Sequence, residues 1–314
     1  MKKISIITVI FNALSNDNGK EYLEQMFKSV HDQDYENIEH VIIDGCSTDG
    51  TLEYLNFLIK NYSKKPVIMT SQKDTGIYNA MNKGIAKSSG DFIAFMNTDD
   101  CYLENNAINL LSEAIEFNEN ISFSCSNAIV ISNINEQDVF KADIKSITYR
   151  MPFCHQTMLC KKELFETYGL FDESLKIASD FLFIFKIIIN GVNGVELNKN
   201  LVLSRFIGIS FKKKLDSHTE ASKIIHEYCS KKNFSRLDCF NIYSHNISPF
   251  LLIKIIIFPF LNPKYKIGNL TQLDLKKRII KNNFKFIYSA KHFFRIRFII
   301  KPIERMLKSY FKKL

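Results

Sequence analysis

Cysteine pairs of the C-x-x-C kind are missing from this 314-residue sequence, although seven cysteines stand at 46, 101, 125, 154, 160, 229 and 239. An odd count without such pairs argues against a disulfide framework or a zinc knuckle and fits reduced, cytosolic thiols. No apolar run reaches the ~20 residues that a membrane-spanning helix needs. The longest, residues 247–261, is interrupted by Pro249, Lys254 and Pro259 and reads as an interfacial or re-entrant segment. The opening Met1–Ile10 is too short an apolar run for a signal peptide and lacks a small-residue cleavage site, so it reads as a first strand. No fixed-period repeat is visible. Acids are nearly absent from the last forty residues: Leu275–Leu314 carries thirteen Lys or Arg against the single acid Glu304. The whole chain has a net charge of +9, so this +12 leaves residues 1–274 at −3. A basic tail interleaved with Phe, Ile, Leu and Tyr suits a helix lying on an anionic membrane surface. No recognised nucleic-acid module accompanies the charge, so no nucleic-acid partner is expected.

At 46% hydrophobic residues the chain can bury a substantial core. Apolar runs and helical periodicity alternate along its first 120 residues. Strand-like Lys3–Ile10 precedes a helical Glu21–Val30; Ile38–Ile43 precedes Leu52–Asn61; Pro66–Thr70 precedes Gly76–Lys87; Phe92–Met96 precedes a helix near Asn105–Phe117. Such alternation predicts an α/β fold with a mostly parallel, Rossmann-like sheet flanked by helices. Beyond Ile121–Cys125 the shorter pieces Ala128–Ile131 and Val139–Phe140 suggest an antiparallel insert, Ile177–Lys186 a capped buried helix, and Gly194–Arg205 a closing strand. The expected division is a catalytic domain over 1–205 and a helical, basic C-terminal region over 206–314.

The fourth unit ends in Asn97-Thr98-Asp99-Asp100. Open α/β sheets hold ligands at the carboxyl ends of their strands. Two adjacent carboxylates there can hold a hard divalent cation such as Mg²⁺, whose other positions go to water and substrate phosphate. The same residues could instead cap the following helix.

Six motifs stand in order: Thr8-Val9-Ile10-Phe11-Asn12, Asp44–Thr51, Asp74–Gly84, Asn97–Asp100, Met151–Gln156 and Ala178-Ser179-Asp180. Together they closely resemble the family 2 inverting glycosyltransferases of GT-A fold, over roughly residues 3–205. The resemblance implies a nucleotide-sugar donor, with UDP expected, held by Thr8, Val9, Asn12, Asp44, Ser47, Asp74, Asn82, Gly84, Asn97 and Thr98. It places a Mn²⁺ or Mg²⁺ cofactor on Asp99 and Asp100 and the catalytic base on Asp180. Asn97 departs from the usual D-x-D pattern. His155 becomes a candidate contact to acceptor or phosphate. The implied setting is O-antigen or other surface-polysaccharide assembly, with a glycan or polyprenyl-linked acceptor and a peripheral position on the inner face of the cytoplasmic membrane.

Chemistry gives these residue types their reason. A departing diphosphate gathers negative charge that a divalent cation stabilises. An acceptor hydroxyl is a poor nucleophile, and a carboxylate on the far side can take its proton. Plainer readings stand beside these: Asp44-Gly45 and Asp49-Gly50 are turn dipeptides, Asp180 is a helix cap, His155 is a packing residue, and Gly76 and Gly84 serve close approach. A sugar-nucleotide pyrophosphorylase would be expected to carry a glycine-rich first loop, which Val9–Ala13 lacks. A non-catalytic scaffold is the remaining alternative, motivated by Asn97.

Overall fold

The computed structural model describes residues 1–133, 136–205, 213–228 and 233–246, and beyond them Leu251, Lys254, Ile255, Ile267, 274–276 and 278–279. Among the described residues nine strands form one sheet: β1 (Ile4–Ile10), β2 (Ile38–Asp44), β3 (Val67–Ser71), β4 (Phe92–Phe95), β5 (Cys101–Tyr102), β6 (Phe123–Asn133), β7 (Glu136–Phe140), β8 (Leu159–Lys161) and β9 (Gly194–Arg205). Their order is β3-β2-β1-β4-β8-β6-β9-β5, with β7 paired to β6. The β3-β2-β1-β4 half is parallel. β8 then runs antiparallel to both β4 and β6, while β9 lies parallel to β6. The sheet is therefore mixed: its parallel half joins a part in which β8 runs against both of its neighbours and β6 and β7 form a hairpin.

Helices cover both faces. On one lie α1 (Gly19–His31), α2 (Thr51–Tyr62) and α4 (Ala107–Glu116); on the other α3 (Ile77–Lys87), α5 (Glu163–Tyr168), α6 (Ser179–Ile189), α7 (Lys214–Tyr228) and α8 (Arg236–Tyr243). The period of two along a strand sorts β1 between them: Ile4, Ile6 and Ile10 pack toward α1, whereas Ile7 packs toward α3. α3 sits close because residue 84 is glycine; a Cβ there would lie 2.4 Å from Ile7 Cγ2.

The core does not stop at residue 205. Ala221, Ile224 and Ile225 of α7 and Cys239, Ile242 and Tyr243 of α8 join the same apolar cluster as α6, as do Leu251, Ile255, Ile267, Leu275 and Ile279. These residues from beyond position 205 thus pack into the same apolar layer as α3, α5 and α6, across the expected boundary at 205/206. Lys254, which interrupts the apolar stretch, pairs with Asp238 at 2.7 Å. Most of that 247–261 stretch and of the basic tail lies outside the described residues.

Buried ionisable groups behind β1 and β2 make the fold acid-labile. Backbone N–H groups of Lys64 and Lys65 donate to His31 Nδ1, so its proton sits on Nε2, which faces His40 Nδ1 at 3.3 Å. His40 Nε2 in turn donates to Thr8 Oγ1 at 2.9 Å. Burial pushes His31 down to about 4 and His40 well below its ordinary value. Both rings are neutral in the fold and take up protons near 6.5 when unfolded. Stability therefore falls as pH drops from 6.5 toward 4, by ~1.4 kcal/mol per pH unit for each ring. Glu39 adds a second window. Its burial would raise it, but Lys3, Ser5 and Ser89 together hold it at about 2, so its contribution disappears below about 4.5. Urea midpoints at pH 7.5, 5.5 and 4 check this; equal midpoints at the first two would show the histidines to be charged or exposed.

Candidate active site

Loops after β1, β2 and β3 meet at the carboxyl end of the parallel half-sheet. Asp44, the last residue of β2, is fully buried, yet its oxygens are satisfied: Ser47 Oγ donates to Oδ1 and Ser71 Oγ to Oδ2, both at 2.6 Å. Ser47 Oγ accepts from Asn12 N at 2.8 Å, and Asn12 Oδ1 accepts from Thr48 N at 2.9 Å. Asn12 reaches that position in the left-handed region, φ 47°, which asparagine tolerates better than most residues. Asp74 leans across from the next loop and accepts from Gly76 N at 2.9 Å; a Cβ on Gly45 would come within 2.6 Å of its Oδ2. Asn12, Asp44, Ser47 and Asp74 are therefore brought together.

Three other expected donor contacts have different surroundings. Thr8 Oγ1 ends the buried histidine chain, and Gly84 makes room for Ile7. Asn82 uses its whole amide on the segment after α5, donating to Phe171 O and Glu173 Oε1 at 2.9 Å and accepting from Phe171 N at 3.0 Å. Their geometry is that of packing and loop-holding. Val9 packs against the core on the α3 face.

Asp100 is buried and Asp99 half-buried at the end of β4. Arg205 N donates to Asp100 Oδ1 at 2.8 Å, while Gln156 Nε2 and Asn97 Nδ2 donate to Oδ2. Asn97 explains its own departure from the acidic pattern: an aspartate there would face Asp100 with like charge, whereas the amide supplies a donor. Arg205 also binds Asp99 O at 2.6 Å through Nη1 and Gln25 through Nη2, with its guanidinium 4.2 Å from the Tyr22 ring centre. Burial first, and then the charge of Asp99, push the Asp100 carboxyl up to about 7. A divalent cation beside the pair would hold both acids ionised, so the donor set fits one. Among the described residues no three His, Cys, Asp or Glu side chains form a metal cage. Such an ion would take its remaining ligands from water and a phosphate group.

Asp180 stands in the first turn of α6. His155 Nδ1 donates to its Oδ2 at 3.1 Å, and Phe181 N to Oδ1 at 2.8 Å. Burial would raise this carboxyl, but the His155 contact, Phe181 N and the Tyr78 hydroxyl outweigh it and hold it below the ordinary carboxylate value. His155 and Gln156 are neighbours on one 3-10 turn, His155–Thr157. One holds Asp180 and the other Asp100, so two acids eighty residues apart stand on either side of a single turn.

Gln156, Arg205, Tyr78 and Glu220 were not legible as site residues. Gln156 adjoins His155 in its motif and Arg205 ends a strand beside a polar site, but Glu220 carries no such signal. It reaches from α7 to accept from Lys176 N at 3.1 Å and from Ile177 N and Ala178 N at 3.0 Å, just before α6. The sequence suggests Ser179 or Asp180 as the cap of α6. The residue preceding the helix is instead Ala178, and no side chain caps it locally.

A mixed sheet with acids at the strand ends of its parallel half, covered by helices on both faces, is the GT-A architecture. Residues 5–168, just over half the chain, match glycosyl transferase family 2, and the protein belongs to that family. A PGL/p-HBAD biosynthesis glycosyltransferase of Mycobacterium tuberculosis is 26% identical over 167 residues, 53% of this chain and 64% of the relative. The chain thus spans just under two thirds of that relative's length. Among solved structures, S. aureus TarS 1-349 in complex with UDP-GlcNAc is similar with a TM-score of 0.58 and 17% identity, over 94% of this chain and 77% of the other. The mannosyltransferase PcManGT from Pyrobaculum calidifontis, in complex with GDP-Man and Mn²⁺, gives a TM-score of 0.59 and 12% identity, over 98% and 81%.

Proposed function

We propose that this glycosyltransferase is inverting and metal-dependent, and moves a sugar from a UDP-sugar to a hydroxyl of a glycan or polyprenyl-linked acceptor in surface-polysaccharide assembly. The observation that carries the reading is the turn His155–Thr157, which sets the Asp99-Asp100 pair and Asp180 on its two sides.

Asn12, Asp44 and Ser47 form a polar floor suited to a nucleotide base, with Asp74 closing one side. Asp99 and Asp100 would hold the divalent cation, which when bound supplies Lewis-acid stabilisation of the departing diphosphate. Arg205, Gln156 and Asn97 keep Asp100 oriented for that task. Across the turn, Asp180, held by His155 Nδ1, accepts the proton of the attacking hydroxyl. Attack from that side, opposite the diphosphate, inverts the anomeric carbon. UDP is favoured by the likeness to TarS, crystallised with UDP-GlcNAc, and the Mn²⁺ complex of PcManGT supports a divalent cation.

Calorimetry with UDP, GDP and CDP, each with and without Mn²⁺, tests the donor site. UDP is expected to bind only with the metal, and at least about tenfold more weakly after Asp99→Ala with Asp100→Ala. A folded protein that binds no nucleotide would instead be a scaffold on this fold.

Peripheral attachment to the cytoplasmic membrane is part of the proposal and rests on the charge of residues 280–314. No helix among the described residues is long and apolar enough to cross a membrane. Deleting 280–314 should abolish co-sedimentation with anionic vesicles; equal sedimentation would refute it.

A further inference from the structure

The acid in the first turn of α6 is oriented largely from outside its own helix. Phe181 N donates to Asp180 Oδ1 at 2.8 Å, and His155 Nδ1 to Oδ2 at 3.1 Å. From α3, the Tyr78 hydroxyl lies 3.1 Å from the same Oδ1 and 2.6 Å from Ile177 O. Both neighbours only accept, so the single hydroxyl proton makes a three-centre bond that spans the carboxylate and the lead-in to its helix. A carboxylate has about four lone-pair positions, so these donors fix its plane and still leave room for an acceptor hydroxyl.

Packing alone does not call for a tyrosine here. The ring meets Phe171 with centres 5.7 Å apart, which a phenylalanine would also do. Its oxygen is buried, a cost that hydrogen bonding has to offset. Burial, and then the Asp180 charge, push the hydroxyl well above its ordinary value, so it stays a donor. Tyr78 also stands in the first turn of α3, directly after the loop in which Asp74 accepts from Gly76 N at 2.9 Å. Four residues on, Asn82 binds Phe171 through both N and O, and Asn79 and Asn82 donate to Glu173. The connection 169–178 is therefore laid along α3, from Phe171 near its start to Ile177 near its end. Ile177 is held twice, through its oxygen by α3 and through its N–H by Glu220 of α7.

We propose that Tyr78 is the positioning residue that ties the proton-accepting acid to the nucleotide side of the site, one hydroxyl setting both the lead-in of α6 and the direction of the Asp180 carboxylate. The inference rests on the glycosyltransferase reading above, with Asp180 as the base, and adds how that base is aimed. Without the hydroxyl the carboxylate is free to turn about its own side chain and Ile177 O is released, while the ring still keeps α3 packed.

The test compares turnover with nucleotide binding in Tyr78→Phe. Nucleoside diphosphate release from UDP-GlcNAc and GDP-mannose with Mn²⁺, water serving as acceptor, gives kcat and KM, and calorimetry gives UDP affinity. kcat should fall about ten- to a hundredfold, the scale of a ~1 Å misplacement, with KM and UDP affinity within about twofold of wild type. Tyr78→4-aminophenylalanine keeps a donor at the end of the ring and should regain most of the lost rate. A Tyr78→Phe kcat within about twofold of wild type would leave the aim of Asp180 to His155 and Phe181. A parallel loss of UDP affinity would make Tyr78 a support of α3 and not of the acid. A 4-amino variant as slow as Tyr78→Phe would show that donation from this position is not what the rate depends on. Each of these three results overturns the proposal while leaving the glycosyltransferase reading intact. Wild-type protein that cleaves neither sugar nucleotide would remove that reading and the proposal with it.

Discussion

Replacing Asp180 by Asn is expected to lower sugar transfer by about a thousandfold or more while leaving UDP affinity unchanged. The side chain keeps its size and the Phe181 N–H contact, but an amide has no basic oxygen to take the acceptor proton. The nucleotide contacts come from Asn12, Asp44 and Ser47, on loops of other strands, so the donor should bind as before. Single-turnover transfer and calorimetry on the same preparation separate the two quantities. Transfer within tenfold of wild type would take Asp180 out of the proton path altogether.

Much of this site was legible because its residues lie where periodicity changes. The runs Ile4–Ile10, Ile38–Asp44 and Phe92–Phe95 announce buried parallel strands, and the polar residues that interrupt them fall where such sheets gather ligands. The antiparallel crossing of β8 between β4 and β6 was not legible, since Leu159–Lys161 is three residues long and too short for any period. Side-chain direction was the other obstacle. Thr8 sits within a motif, yet its side chain faces the α1 layer and ends a histidine chain, because successive strand residues point to opposite faces. Val9, one residue on, faces the other way. Asn82 similarly shares a helix with Tyr78, and the two reach opposite ends of one loop, the connection between α5 and α6: Phe171 for the one, Ile177 for the other. Motif membership identified a neighbourhood, and backbone geometry decided which side chains enter it.

The second large effect is expected far from any motif, at Glu220. Its carboxylate collects the N–H groups of Lys176, Ile177 and Ala178, the three residues that lead into the helix carrying Asp180. Negative charge at a helix N-terminus is favourable in itself, and here it also supplies the cap that Ala178 cannot. Glu220→Ala would strip three donors of their partner. With water able to reach the outermost, at Lys176, the loss is about 2–4 kcal/mol. The start of α6 would then loosen, and a displacement of about 1 Å in the pair it holds is enough for a hundredfold fall in kcat. UDP affinity should not change, because the Asp44 loop and the Asp99-Asp100 pair hang on other strands. Glu220→Gln retains one accepting oxygen and should fall between wild type and alanine in both urea midpoint and kcat. If Glu220→Ala unfolds within about 0.5 kcal/mol of wild type and turns over at its rate, α6 is held by its own apolar face alone. If it behaves as expected, α7 is part of the catalytic machinery, because the helix that carries the proton-handling acid cannot be set in place without a residue from beyond position 205.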